Sequence, residues 1–380
     1  MYRRRLKLPA QSFFLFGVRG VGKSSWARRV LPDAMFFDLL DEALLFDLMS
    51  DPGRFRALAV AAPPGSWIVV DEVQRMPSLL NEVHRLIEEG RRFALLGSSA
   101  RKLRAGGVNL LAGRALHQEM FPLLPEELAS DFDLEAVMRH GSVAVAWTAE
   151  DRRAVLESYV HLYLREEIRA EANLRNLPGF VRFLRVAAVL HGQRVSVAGA
   201  AREAGVARTT VAGYFEVLED TLMTWRLPAF ESKLRVRERR QPKLYWVDPG
   251  LVRAMRQRLG PVGAEERGPL FEGWILGLLR AYRDNGPLYE DLAYWAPAGG
   301  QTEVDALLVR GDERIAIEVK ASRRFHSSQL KGLQAVRDLR GLVRRILVYC
   351  GDRALVTPGG IHIWPLRRFL EALETDRLWP

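Results

Sequence analysis

The stretch Gly17-Val18-Arg19-Gly20-Val21-Gly22-Lys23-Ser24 fulfils the pattern GxxxxGK(S/T), and this constrains the fold because the pattern works only between a strand and a helix. Upstream, Phe13-Phe14-Leu15-Phe16 has the unbroken apolar character of a buried strand. Downstream, Ser24 to Val30 reads as the first turns of a helix. Gly17, Gly20 and Gly22 let the backbone turn sharply and aim its N–H groups inward, so a polyphosphate can lie against them at the positive end of that helix. Lys23 then reaches the outer phosphates, the Ser24 hydroxyl faces Mg²⁺, and the run from Gly17 through Ser25 forms the nucleotide cradle.

A second run, Trp67-Ile68-Val69-Val70, ends abruptly in Asp71-Glu72. Continuous apolar character predicts a strand covered on both faces of a parallel sheet, and such sheets bind ligands at the carboxyl ends of their strands. Asp71 is placed to hold the Mg²⁺ shell and Glu72 to polarise the water that attacks the γ-phosphate. A third strand, Phe93-Ala94-Leu95-Leu96, ends in Gly97-Ser98-Ser99-Ala100-Arg101. Ser98 is the candidate contact to the attacking water or γ-phosphate; equally, Ser98 and Ser99 can cap the next helix. Arg114, after Gly113, is a candidate charge for the transition state, in cis or from a neighbouring subunit, with Arg101 behind it. A solvated surface arginine is the other reading of Arg114.

In this order, the P-loop, VVDEVQ, GSSARKL and LAGRAL followed by Phe121-Pro122-Leu123 resemble a group of bacterial and archaeal AAA-type ATPases with a C-terminal region of unknown function. The resemblance extends over nearly the whole chain. It implies an α/β protein in three parts: a parallel-sheet P-loop AAA domain at 1–130, a helical and winged-helix segment at 131–260, and a restriction-endonuclease-like α/β domain at 261–380. It implies ATP and Mg²⁺ as cofactors, ATP and ADP as ligands, and a candidate homo-oligomer.

The 380 residues suit two or three domains. No apolar stretch approaches the about 20 residues needed to span a bilayer, and basic Met1 to Lys7 lacks the apolar core of a signal peptide, so the expectation is a cytoplasmic protein without a membrane partner. The single cysteine, Cys350, follows the strand-like Ile346-Leu347-Val348-Tyr349 and is expected to be a buried thiol. The histidines form no metal-ligand spacing. From Arg152 to Ala170 the spacing of Leu156, Tyr159, Val160, Tyr163, Leu164 and Ile168 predicts an amphipathic helix.

A net charge of +10 points to a polyanionic partner. Between Arg226 and Arg258 ten Lys or Arg stand against three Asp or Glu, and Arg235, Arg237, Arg239 and Arg240 alternate like an exposed strand or loop beside Tyr245 and Trp246. The bland alternative is a solvated face. Just upstream, Ala201, Gly205 and Val211 have the spacing of a helix-turn-helix: a small residue for close packing, a turn glycine and a buried anchor. Its second helix, about Arg208 to Leu222, would present Arg208, Thr209 and Thr210 to a DNA major groove, although winged helices also serve as protein-binding and lid modules.

In the last third, Glu272 lies in a helical stretch, followed by Glu303-Val304-Asp305 and then Glu318-Val319-Lys320 in strand-like runs. Residues 318 and 320 share one strand face, turned toward Asp305 on its neighbour. This is similar to the PD-(D/E)XK nuclease core. The resemblance implies that Asp305 and Glu318 hold Mg²⁺ with Lys320 beside the metal-bound water. Domains of this kind also bind without cutting. Three readings follow: an ATPase coupled to a module acting on DNA, a nucleotide-switched scaffold whose partner is a protein, and an ATP-gated nuclease.

Overall fold

The computed structural model describes residues 2–99, 101, 103, 111, 113–163, 176–231, 241–286, 288–297 and 302–380. The chain forms two compact units: residues 1–123, 143–177 and 213–223 make the first, and 124–142, 178–212 and 224–380 the second.

The first unit is built on a parallel sheet of β1 (Phe13–Phe16), β2 (Met35–Asp38), β3 (Trp67–Asp71), β4 (Arg92–Gly97) and β5 (Leu116–Glu119) in the order β2-β3-β4-β1-β5. Every residue of β1 and β3 is buried, which is why both read as unbroken apolar runs. The period-2 alternation still divides the two faces. Phe14 and Phe16 join Val70, Phe93 and Leu95 in one core, while Phe13 packs edge-on against Trp26 of the helix Lys23–Val30. Helix Leu79–Glu88 contributes Leu79, Leu80, Val83 and Leu86 to the core, a stripe of helical period. It stops where Gly90 adopts φ +86° and the Arg91 N–H reaches back to the Leu86 carbonyl at 2.9 Å. Truncating fully buried Phe93 to alanine would cost about 3–5 kcal/mol.

The second unit holds two sheets. A small one has the order β6-β8-β7, with β6 (Gln193–Arg194), β7 (Thr224–Leu227) and β8 (Lys243–Trp246) antiparallel. A larger mixed sheet has the order β13-β14-β12-β11-β10-β9, from β9 (Asp291–Trp295), β10 (Val304–Arg310), β11 (Glu313–Lys320), β12 (Leu342–Tyr349), β13 (Leu355–Val356) and β14 (Ile361–Pro365). Helix Ala264–Asp284 buries Leu270, Phe271, Trp274, Ile275, Leu278, Leu279 and Tyr282 and carries Glu272. Helices Val197–Ala204 and Arg208–Asp220 are joined through Gly205, whose φ of +60° is the left-handed turn its position in the sequence predicts. Ala201 and Val211 are both buried. The second of these helices contributes residues to both units.

Several expectations change. The α-helix from Arg152 ends at Ser158 and continues as a π-helix over Tyr159–Tyr163. Leu156 and Tyr159 are buried as the stripe predicts, whereas Leu164 and Ile168 lie outside the described residues. The basic patch contracts. Lys243, Tyr245 and Trp246 are buried because β8 is the central strand of its sheet, and Arg253 is buried against Glu266 at 3.0 Å. Arg235, Arg237, Arg239 and Arg240 lie outside the described residues. Cys350 is only half-buried, and that partial burial still pushes its thiol pKa up. No helix among the described residues is long and apolar enough to cross a membrane.

Candidate functional site

Strand order brings the N-terminal candidates together. β4 lies between β1 and β3, so the loop after β1, Asp71 at the end of β3 and Ser98 just past β4 converge on the carboxyl edge of the sheet. Gly22 sits at φ +101° and Gly20 at φ +73°, conformations that L side chains rarely take. A Cβ on Gly20 would also lie 2.4 Å from the Val145 side chain, because helix Ala144–Trp147 docks here with the Val145 N–H on the Gly20 carbonyl at 2.9 Å.

Lys23 is buried and donates to the carbonyls of Gly17 at 2.7 Å and Val18 at 3.3 Å. Burial lowers its pKa to about 8, against the opposing pull of Glu72 and Asp71. Asp71 is also buried and its carboxyl pKa is raised, first by that burial; a hydrogen bond from Ser24 works the other way, and nearby Asp38 adds repulsion. A hydroxyl beside a buried carboxylate at a phosphate cradle is a donor set that suits Mg²⁺. Around it lies a cavity of about 500 Å³, within the range of nucleotide-sized pockets. Its walls include Arg19 to Ser25 and Glu72, with Tyr2, Leu123, Val145 and Thr148.

Glu72 takes the left-handed region at φ 56°, ψ 44°, rare for a side chain of its size, and this turns it off the strand line. Its carboxylate accepts from the Gln74 amide, which donates in turn to Ser98 Oγ at 2.9 Å. Ser98 is thus tied to Glu72 through Gln74, a residue that sequence reasoning passed over even though it closes the VVDEVQ motif. Ser99 Oγ accepts from the Arg101 N–H at 3.0 Å. Arg101 pairs with Asp220 at 2.7 Å.

Arg114 lies away from this carboxyl edge. It precedes β5, whose first residue Leu116 is level with Phe13 at the start of β1, and it pairs with Glu88 at 2.8 Å. The P-loop follows the other end of β1, so Arg114 does not reach it in cis.

The C-terminal candidates also converge. The antiparallel pairing of β10 with β11, which sets Ala306 beside Ile317, brings Asp305 close to Glu318 and Lys320. Lys320 Nζ is 2.6 Å from Glu318 Oε1 and 3.8 Å from Asp305 Oδ2, and the Asp305 carboxylate accepts from the Val319 N–H at 2.8 Å. Glu272 faces them and accepts from the Tyr245 hydroxyl at 2.6 Å. Burial, then repulsion from Asp305, pushes the pKa values of Glu272 and Glu318 up. Lys243, unforeseen here, enters from β8: its Nζ is 2.8 Å from Glu303, 3.4 Å from Glu272 and 4.0 Å from Asp305. Burial alone would lower its pKa, but Glu272, Asp305 and Glu303 raise it. With an ammonium among these oxygens the donor set does not fit a divalent metal, and no group of three or more His, Cys, Asp or Glu among the described residues is arranged to hold one. At the other candidate interface, Arg208 and Thr209 are exposed at the start of their helix and Thr210 is half-buried.

Three family models match successive parts of the chain. Residues 10–129 match the family described as AAA domain, 133–261 a domain of unknown function designated DUF8612, and 267–369 one designated DUF4143. The N-terminal region is therefore similar to AAA domains, and two regions that match domains of unknown function follow it. Uncharacterized proteins of Mycobacterium bovis and Mycobacterium tuberculosis are each 28% identical over 391 residues, covering 99% of this chain and 82% of their own. A crystal structure of a Vibrio cholerae protein aligns over 97% of both chains at 12% identity and a TM-score of 0.21, a likeness too slight to carry an argument.

Proposed function

We propose that this chain is a Mg²⁺-dependent ATPase that passes its nucleotide state to a winged-helix and C-terminal module acting on DNA. The observation that carries the reading is the Glu72–Gln74–Ser98 chain at the carboxyl edge of the sheet, beside Lys23 and the Ser24–Asp71 pair. Lys23 would leave its own loop carbonyls for the β- and γ-phosphates, exchanging neutral acceptors for anionic ones. Ser24 and Asp71 would hold Mg²⁺, which neutralises charge on the phosphates when bound. Glu72, oriented by Gln74, would align the attacking water. Support for DNA is the exposed Arg208 and Thr209 at a helix start and the net charge of +10. Arg114 remains a candidate only for a neighbouring subunit's site.

The test is steady-state ATP hydrolysis with and without plasmid DNA. Glu72→Gln should retain ATP binding and lose turnover by about 10²-fold or more; undiminished turnover would defeat the assignment. DNA should raise the wild-type rate, and a rate indifferent to DNA would move the protein-binding scaffold reading to the front. One observation favours a C-terminal domain that does not cut: the position of Lys243.

A further inference from the structure

The carboxylates of Glu272, Glu303, Asp305 and Glu318 gather where a nuclease-like domain would keep its metal, yet the cations among them, Lys243 and Lys320, belong to the chain itself. We propose that the Lys243 ammonium, beside Lys320, is a resident cation of this cluster, clasping the small sheet to the large one and keeping divalent metal out of the site.

Three observations converge. Lys243 Nζ is within 2.8 Å of Glu303 and 3.4 Å of Glu272, and the side chain is 4% exposed, so it is a built-in partner rather than a passing surface cation. Its backbone cannot withdraw alone, because β8 pairs with β6 and β7 at once, with Lys243 in register with both Arg194 and Leu227. Its neighbours complete the match: Arg194 Nη2 donates to Glu303 Oε2 at 3.0 Å, and Tyr245, two residues along the same strand face, donates to Glu272 Oε1 at 2.6 Å. One face of the small sheet thus presents two cations and a hydroxyl to the carboxylates of the large one. A divalent ion would have to approach the Glu272 and Asp305 oxygens to about 2.0–2.6 Å, which sets it against the ammonium as a like charge in a buried site. Removing the lysine while leaving its strand paired should leave the carboxylates short of one cation and open to metal.

The inference is independent of the ATPase reading, and a nucleotide-free assay keeps it so. Mn²⁺ uptake by the full chain is measured by titration calorimetry for wild type, Asp305→Asn, Glu318→Gln, Lys243→Met and Lys243→Met with Asp305→Asn. Wild type should match Asp305→Asn and Glu318→Gln, while Lys243→Met gains one site, at least tenfold tighter than any in wild type, that the double variant loses. Uptake by wild type that depends on Asp305 would overturn the proposal, as would a folded Lys243→Met that gains nothing. Should Lys243→Met not fold, the wild-type comparison with the two carboxylate variants decides alone. Plasmid incubated with Mn²⁺ gives a second readout: wild type should leave it supercoiled, and Asp305-dependent nicking would overturn the inference.

Discussion

Raising the pH through the range in which Lys23 loses its proton should weaken ATP binding in a defined way. This lysine is buried against two carbonyls, and burial brings its pKa from 10.5 to about 8. Phosphate requires the ammonium form, so binding above pH 8 must recruit a proton. Each pH unit beyond that point then costs about 1.4 kcal/mol, a factor of about 10 in affinity. At pH 9 roughly one molecule in ten carries the proton, and Kd for ATP should stand about tenfold above its value at pH 7. The γ-phosphate is fully ionised well below this window, so its own titration does not interfere. Folding responds with the opposite sign. The unfolded chain keeps the proton up to about 10.5, so burying Lys23 costs stability below pH 8, by about 3 kcal/mol, and the cost fades between pH 8 and 10.5. Calorimetric ATP titrations on Glu72→Gln, in buffers of different ionisation enthalpy, should show uptake of about half a proton at pH 8 and nearly one at pH 9. A Kd unchanged between pH 7.5 and 9.5 would refute the reasoning, and so would the same slope in Lys23→Met.

Two other outcomes follow from single contacts. Gln74→Ala frees the Glu72 carboxylate from its amide donor and should lower the ATP turnover rate about tenfold while leaving ATP affinity unchanged, read by steady-state kinetics beside a binding titration; turnover equal to wild type would remove Gln74 from the site. Gly250→Ala would set a Cβ 2.1 Å from the His140 carbonyl oxygen, backbone that cannot step aside, and should destabilise the second unit by about 3 kcal/mol in urea unfolding; a shift below about 0.5 kcal/mol would contradict that packing.

What could be read in advance was local in the chain. Lys23, Ser24, Asp71 and Glu72 each sit in a motif whose chemistry and backbone geometry are written in a few consecutive residues, and the fully buried strands β1 and β3 announced themselves as unbroken apolar runs. The turn at Gly205 was legible for the same reason, since only a glycine takes φ +60° without strain. The helix expected from Arg152 is α-helical only to Ser158, because apolar spacing does not distinguish α-helix from the π-helix at Tyr159–Tyr163.

The sequence by itself determined that this chain builds a glycine-rich loop between a strand and a helix on a parallel sheet, and that its last third carries carboxylates and a lysine on neighbouring strands. Only tertiary structure decided what those groups meet. Ser98 reaches Glu72 through Gln74 because β4 lies beside β3, Arg114 falls at the wrong end of β1 because of its register with β5, and Lys243 turned from a surface charge into a buried partner because β8 is a central strand. Each of these contacts joins residues distant in the chain. Strand order and register place them, and side-chain periodicity along one segment carries no information about which segment will be its neighbour.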